Sequence, residues 1–329
     1  MEHYKGRFNR FDSLYLGGGT PTLLDCKALA DMMDHLFFHF DFDIDTEITI
    51  EANPCDLTRE KIKRLIHMGI NRISIGVQSF DNRMLSFLGR NHTSVEAQRA
   101  LSNSRSLGFK NIALDLIYGL EGQSLNEWLD TPKQAVSFHP EHISCYQLTF
   151  EKKTLFNRLK DKDQIRLLTE EEECSFFVNT SRFLEDHNYF HYEVSNFAGD
   201  EGYCSRHNSK YWHHIPYLGL GPSAHSFNKA IRWWNVRSIR KYCEMLERGE
   251  APVEGYENLT DDQLKLETVT LGIRTRNGFD LTELAGGLRS SSILEKLQDT
   301  GFIEVNDGKI IPTKKGLLMA DSLPLYLLA

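Results

Sequence analysis

The chain lacks any run of about 20 apolar residues, so it offers no transmembrane helix. Its first nine residues are polar and charged, with no apolar core behind them, so no secretory signal is expected and the chain reads as cytoplasmic. An excess of positive charge is missing too. The 38 Lys and Arg are outnumbered by 46 Asp and Glu, a net charge of −8, which argues against nonspecific binding to nucleic acid or an anionic membrane. The six cysteines, Cys26, Cys55, Cys145, Cys174, Cys204 and Cys243, are so scattered that no two fall within three residues. That spacing excludes a CxxC metal knuckle, and in a cytosolic chain of 329 residues it argues against a disulfide scaffold. General disorder is excluded by a 40% apolar content.

What is present begins as an alternation of two periods. Short β-branched runs lie at Ser13–Leu16, Glu47–Ile50, Arg72–Val77, Asn111–Ile117 and His142–Thr149. Amphipathic stretches separate them at Asp25–Phe38, Thr58–His67, Ser94–Ser106 and Ser124–Ser137. Thr58 is placed to cap, Gly69 and Gly108 to terminate, and Ser124 with Glu127 to form a capping box. Pro132 falls inside a predicted helix and should kink or break it. Strands and helices alternating every 30 residues or so imply parallel strands with right-handed crossovers. Such an order suits a doubly wound sheet or a (β/α) barrel, and the polar residues favour the barrel. They gather where strands end: Gly17-Gly18-Gly19-Thr20-Pro21, Glu51-Ala52-Asn53-Pro54, Gln78-Ser79, Asp115 and Tyr146-Gln147.

From about Phe156 the pattern changes. Glu170–Leu184 reads as a helix and Tyr203–Phe227 as an irregular segment rich in aromatics, His and Gly. After Leu259 comes a small helical module closed by a hairpin around Asn306-Asp307-Gly308, winged-helix-like in outline. Between Arg289 and Ala320 five basic residues face four acidic ones, too little charge for a surface that tracks phosphates. The expected divisions are residues 1–155, 156–258 and 259–329.

The glycine cluster serves either a tight turn or a ligand that the backbone must approach closely. It is neither a Walker loop nor a dinucleotide fingerprint. Glu51, Gln78, Arg90 and Asp115 suit ribose hydroxyls, an amino group and a carboxylate, a combination that fits a zwitterionic nucleoside better than a phosphate. Structural alternatives stand beside this reading, a satisfied buried carboxylate for Asp115 and a solvated helix-end charge for Arg90. The acidic mouth argues against a barrel enzyme for phosphorylated metabolites.

Five motifs resemble radical S-adenosylmethionine (SAM) proteins of the group that contains oxygen-independent coproporphyrinogen III oxidase. They are Leu16-Gly-Gly-Gly-Thr-Pro-Thr, Glu51-Ala-Asn-Pro, Ile73-Ser-Ile-Gly-Val-Gln-Ser-Phe, Leu88-Gly-Arg-Asn-His and Asp115-Leu-Ile-Tyr-Gly-Leu-Glu-Gly-Gln. Within that group, His207-Asn-Ser-Lys-Tyr211-Trp212 is similar to the HNxxYW signature of HemW-type heme chaperones, which the oxidase lacks. Tyr217-Leu-Gly-Leu-Gly-Pro-Ser-Ala-His225 and Gly272-Ile-Arg-Thr-Arg-Asn-Gly278-Phe resemble the same proteins. The resemblance implies a partial TIM-like (β/α) barrel of the radical SAM type followed by an α+β region. It implies that Gly18, Gly19, Thr20, Glu51, Gln78, Arg90 and Asp115 contact SAM, the glycine loop along the methionyl end, Glu51 and Arg90 near the charged groups, and Asp115 near the ribose. His207 would contact heme, with Tyr211, Trp212 and Trp233 available to stack on a porphyrin and Cys204 as a second possible ligand. Tyr211 and Trp212 packing as ordinary core is the alternative. The implied partners are heme and a heme-accepting protein.

One departure is large. The family holds a [4Fe–4S] cluster with CxxxCxC ahead of the glycine motif, and the 16 residues before Gly17 contain no Cys. Thiolates of one cluster must share one coordination sphere, which the scattered six cannot supply, so the chain as written should not carry radical chemistry. The expectation is a barrel missing its first strand, with Ser13–Leu16 left as a bare edge and translation starting upstream. The competing reading is a SAM-dependent oxidase of the coproporphyrinogen type whose opening segment is missing.

Overall fold

A computed structural model describes residues 1–8, 10–152, 154–162, 164–284 and 291–328. Arg289, which entered the charge comparison above, lies outside the described residues. The chain divides into two compact units, one of residues 11–37 and 42–204, the other of residues 1–10, 38–41 and 205–329.

The barrel-like unit is built on a seven-stranded sheet. Its strands are β1 (Phe11–Leu16), β2 (Phe42–Ala52), β3 (Arg72–Gln78), β4 (Asn111–Tyr118), β5 (His142–Gln147), β6 (Phe190–Glu193) and β7 (Asn196–Ala198). Their order is β1-β2-β3-β4-β5-β7-β6, and the first five are parallel. The sheet curls into a half-barrel. The helices are α1 (Cys26–His39), α2 (Arg59–His67), α3 (Asn82–Phe87), α4 (Ser94–Leu107), α5 (Leu125–Val136), α6 (Leu155–Lys160) and α7 (Glu170–Asp186).

Alternation along each strand separates two faces. Ile48, Ile50, Ile73, Ile75, Val77, Leu114, Leu116 and Ile143 share a core with Leu29, Ile62, Leu65, Leu101, Trp128 and Phe176 from the helices. Each such side chain stabilises by about 1.5–3 kcal/mol on burial. The intervening residues, Glu47, Thr49, Glu51, Arg72, Ser74, Asp115, His142 and Ser144, are polar and take the other face.

Helix starts follow the capping rules. Thr58 Oγ1 accepts from the Lys61 N–H, and full capping boxes join Thr93 to Glu96, Ser124 to Glu127 and Thr169 to Glu172. Pro132 does not interrupt α5, which runs unbroken through it. The ring is buried, and α5 is held against α7 by the Trp128 indole, which donates to Thr180 Oγ1 at 2.6 Å. Packing there outweighs the missing backbone donor.

The second unit holds two small antiparallel sheets. The first is β10-β9-β8, formed by β8 (His225–Asn228), β9 (Ile231–Asn235) and β10 (Val253–Asn258). The second is β11-β13-β12, formed by β11 (Phe279–Asp280), β12 (Ile303–Asn306) and β13 (Lys309–Pro312). The β12–β13 turn takes positive φ at both Asp307 (51°) and Gly308 (75°), the backbone its sequence called for. Around them lie α8 (Arg206–Trp212), α9 (Ile239–Glu247), α10 (Asp261–Gly272), α11 (Ser291–Asp299), α12 (Lys314–Leu318) and α13 (Leu323–Leu328). This is the α+β region with a winged-helix-like end that the sequence pointed to. Where the sequence read an irregular segment, α8 is helical, started by Ser205 Oγ accepting from the Asn208 N–H.

Candidate functional site

Gly18, Gly19, Thr20, Glu51 and Gln78 stand at the rim formed by the carboxyl ends of β1 to β3, Asp115 lies within β4 and Arg90 follows α3. Glu51, on the polar face of β2, accepts a hydrogen bond from the Tyr15 hydroxyl at 2.8 Å and interacts with the backbone N–H groups of Gly18 and Gly19. Gly17 is required by contact. A Cβ there would sit 2.5 Å from Tyr15 Cε1 and 2.7 Å from Glu51 Oε1. Around Gly18 and Gly19 a Cβ would meet nothing within 4 Å, so that backbone faces open space. Burial raises the Glu51 carboxyl above the ordinary carboxylate range, the Tyr15 hydrogen bond opposes this, and Asp115 adds to it.

Arg90 is delivered by a helix ending. Gly89 (φ 65°) follows α3, and the Arg90 N–H returns to the Leu85 carbonyl at 2.9 Å. The guanidinium Nη2 then donates to Asn53 Oδ1 at 2.5 Å and to the Gly76 carbonyl at 3.3 Å. Asn53 Nδ2 in turn donates to Thr20 Oγ1 at 3.2 Å, tying Arg90 to the glycine loop. Gln78 has φ 63° at an irregularity in the β3–β4 register, and its amide folds back to within 2.8 Å of where a Gly76 Cβ would be. Asp115 Oδ2 accepts from Ser74 Oγ at 2.9 Å. Burial raises its pKa, against the Ser144 and Ser74 hydroxyls and the Arg72 and Arg90 charges.

Sequence reasoning missed Tyr15, Arg72, Ser74 and His142, and placed Asn53 at a strand end without giving it a role. The signal was available, because these residues or their neighbours occupy every second position on otherwise apolar strands. Below the rim, Thr49 Oγ1, Arg72 Nε and His142 Nδ1 are buried without a hydrogen-bond partner. His92, within the Leu88–His92 motif, is structural. Its Nε2 lies 3.0 Å from the Val77 carbonyl, and burial lowers its pKa.

In the other unit, α8 carries the HNxxYW residues. His207 Nε2 and the Tyr211 hydroxyl are 3.0 Å apart, with the rings edge-on at 5.1 Å. Tyr211 is 37% exposed and meets Tyr217 edge-on at 4.7 Å. Burial and the Tyr217 phenol push its pKa up to about 12. The Trp212 indole N–H is buried with no hydrogen-bond partner, and the Arg274 guanidinium lies 5.6 Å from a ring centroid of Trp212. Trp233 is not open for stacking as the sequence suggested. It is 8% exposed and covered by Tyr4, stacked at 6.1 Å, and by Phe8 at 6.4 Å. Cys204 falls in the barrel-like unit, where burial and Glu201 push its thiol up to about 11.

The donor sets decide which groups these residues fit. The rim offers an open glycine backbone, two carboxylates and a guanidinium, which suits a zwitterionic nucleoside. The α8 surface offers an imidazole beside exposed aromatic area, which suits a porphyrin. The described residues do not supply the ligands of a [4Fe–4S] cluster. No group of three or more His, Cys, Asp or Glu among the described residues could hold a metal ion. No helix of the described residues is long and apolar enough to cross a membrane.

Residues 1–135 match the Radical SAM superfamily. Heme chaperone HemW of Bacillus subtilis is 33% identical over 317 residues, covering 94% of this chain and 83% of the relative. HemW of Mycobacterium tuberculosis is 33% identical over 310 residues, covering 94% and 79%. Among solved structures, the radical SAM enzyme coproporphyrinogen III oxidase (HemN) of Escherichia coli superposes with a TM-score of 0.78 at 22% identity, covering 97% of this chain and 78% of that one.

Proposed function

The chain belongs to the HemW family of radical SAM proteins, and from that premise we propose that it is a heme chaperone, binding heme at α8 and SAM at the glycine-loop rim. The observation that carries the heme assignment is α8 itself. It sets an imidazole and a phenol one turn apart, with Tyr211 exposed and the Trp212 N–H buried without a partner. In this reading His207 Nε2 would hold the heme iron in place of its contact with the Tyr211 hydroxyl. Heme taken up in this way is passed to an acceptor protein.

At the rim, Gly18, Gly19 and Thr20 present backbone and hydroxyl groups to the ligand. Glu51 and Arg90 answer its amino and carboxylate charges, Gln78 supplies an amide, and Asp115 takes ribose hydroxyls. In this superfamily a cluster would supply the electron that cleaves SAM to a radical, and among the described residues no group could hold that cluster. Residues 1–155 then carry the nucleoside site, 156–258 the heme site and 259–329 the closing module. A cytoplasmic location belongs to this reading and is supported by the free state of all six cysteines.

The test is hemin titration followed by Soret absorbance. Wild type should saturate, and His207→Ala should bind at least ~10-fold more weakly, the factor that about 1.4 kcal/mol gives. Superimposable titrations would remove the heme assignment.

A further inference from the structure

His225 opens β8 and is exposed. Its imidazole stacks on the Trp234 indole at 6.0 Å and 28°. The two residues are register partners across β8 and β9. The indole is itself seated, because it covers Gly255 on β10, opposite it in register. A Cβ at Gly255 would lie 2.6 Å from Trp234 Cζ2 and 2.9 Å from Cε2. Glycine within a strand weakens it, so this position is occupied at a cost that the seating of the indole explains.

The neighbouring histidines are all engaged. His207 Nε2 pairs with Tyr211, His213 Nδ1 with the Ser209 carbonyl at 2.7 Å, and His214 Nε2 with Glu267 at 3.0 Å. Among the described residues neither ring nitrogen of His225 makes a hydrogen bond. It is thus an imidazole whose plane is fixed by an aromatic seat while both nitrogens remain open to solvent. That is a pre-organised metal ligand, with part of the ordering cost of binding already met in the fold.

The same sheet face continues toward α8. Phe227 lies two residues along β8, and Tyr217 touches both Phe227 (6.2 Å) and Tyr211 (4.7 Å). Aromatic contacts therefore run from the HNxxYW helix through Tyr217 to Phe227, two residues from His225 on the same strand. We propose that His225, outside the HNxxYW motif, would supply an imidazole ligand to heme iron, with Trp234 as the platform that holds its ring. One ring nitrogen gives its lone pair to iron, and the other keeps its proton. This inference rests on the heme-chaperone reading.

The experiment compares wild type, His225→Ala, Trp234→Leu and His213→Ala in hemin titrations, recording both affinity and Soret position. His225→Ala should move the Soret maximum and weaken binding by at least ~10-fold, and added free imidazole should restore the wild-type spectrum. A merely structural role would give neither the spectral shift nor the rescue. Trp234→Leu should weaken binding with the Soret maximum unchanged, and His213→Ala should match wild type. A His225→Ala protein with wild-type affinity and spectrum overturns the assignment while leaving the heme reading intact. Wild type that takes up no hemin overturns the heme reading first, and this inference with it.

Discussion

Gly17→Ala is the sharpest probe of the rim. Its methyl would arrive 2.5 Å from Tyr15 Cε1 and 2.7 Å from Glu51 Oε1, so one partner must move and the 2.8 Å Tyr15–Glu51 hydrogen bond opens. Overpacking of this kind costs about 1–3 kcal/mol, and a hydrogen bond to a charged group contributes about 1.5–3 kcal/mol. Because the carboxylate stays partly solvated, we expect a total of about 2–4 kcal/mol. In a unit of roughly 190 residues that lowers Tm by roughly 4–16 °C. Gly19→Ala is the matched control, since its methyl meets nothing within 4 Å and its φ is ordinary. It should hold or slightly raise Tm, by restricting the unfolded chain. Thermal melts followed by circular dichroism, with calorimetric SAM titration of each variant, separate the two. Indistinguishable melts for Gly17→Ala and Gly19→Ala would refute the close-contact reasoning.

Two further predictions concern protonation. Burial holds the Glu51 carboxyl above its unfolded value of 4.5, so the folded state binds that proton more tightly and loses stability as pH rises through the window above 4.5. Glu51→Gln, which still accepts from Tyr15, should therefore melt higher than wild type at neutral pH and equal it below about 4.5, while losing SAM affinity; a constant difference across pH would contradict the assignment. His142 is 1% exposed, and burial with Arg72 nearby keeps its pKa well below 6.5, so the unfolded chain takes up a proton that the folded one refuses. Wild-type stability should fall as pH drops below about 6.5, and His142→Gln should flatten that decline in urea midpoints measured from neutral pH to about 5.

The barrel half was legible because period-2 runs, capping boxes and terminating glycines all act within a few residues. The rim residues were legible for a related reason, since strand ends collect the groups that break apolar patterns. What escaped the sequence depends on distance or on brevity. β6 and β7 are four and three residues long and largely buried, so no alternation reveals them. Arg206–Trp212 has no apolar period, and only its Ser205 cap marks a helix. Trp233 read as an open aromatic because the residue that covers it, Tyr4, lies at the other end of the chain. Pro132 was misjudged because the Trp128–Thr180 contact that steadies its helix is equally nonlocal.

That Tyr4–Trp233 stack also sets a timetable for synthesis. At a ribosomal pace of ~5–20 residues per second, roughly 10–45 s separate the emergence of the two rings. Through that interval Tyr4 and Phe8 are nascent apolar side chains waiting for β9, while residues 11–204 can already collapse on their own core. Holdase chaperones that shield residues 1–8 during this delay should raise the yield of folded protein, and slow codons between positions 10 and 220 should lower it.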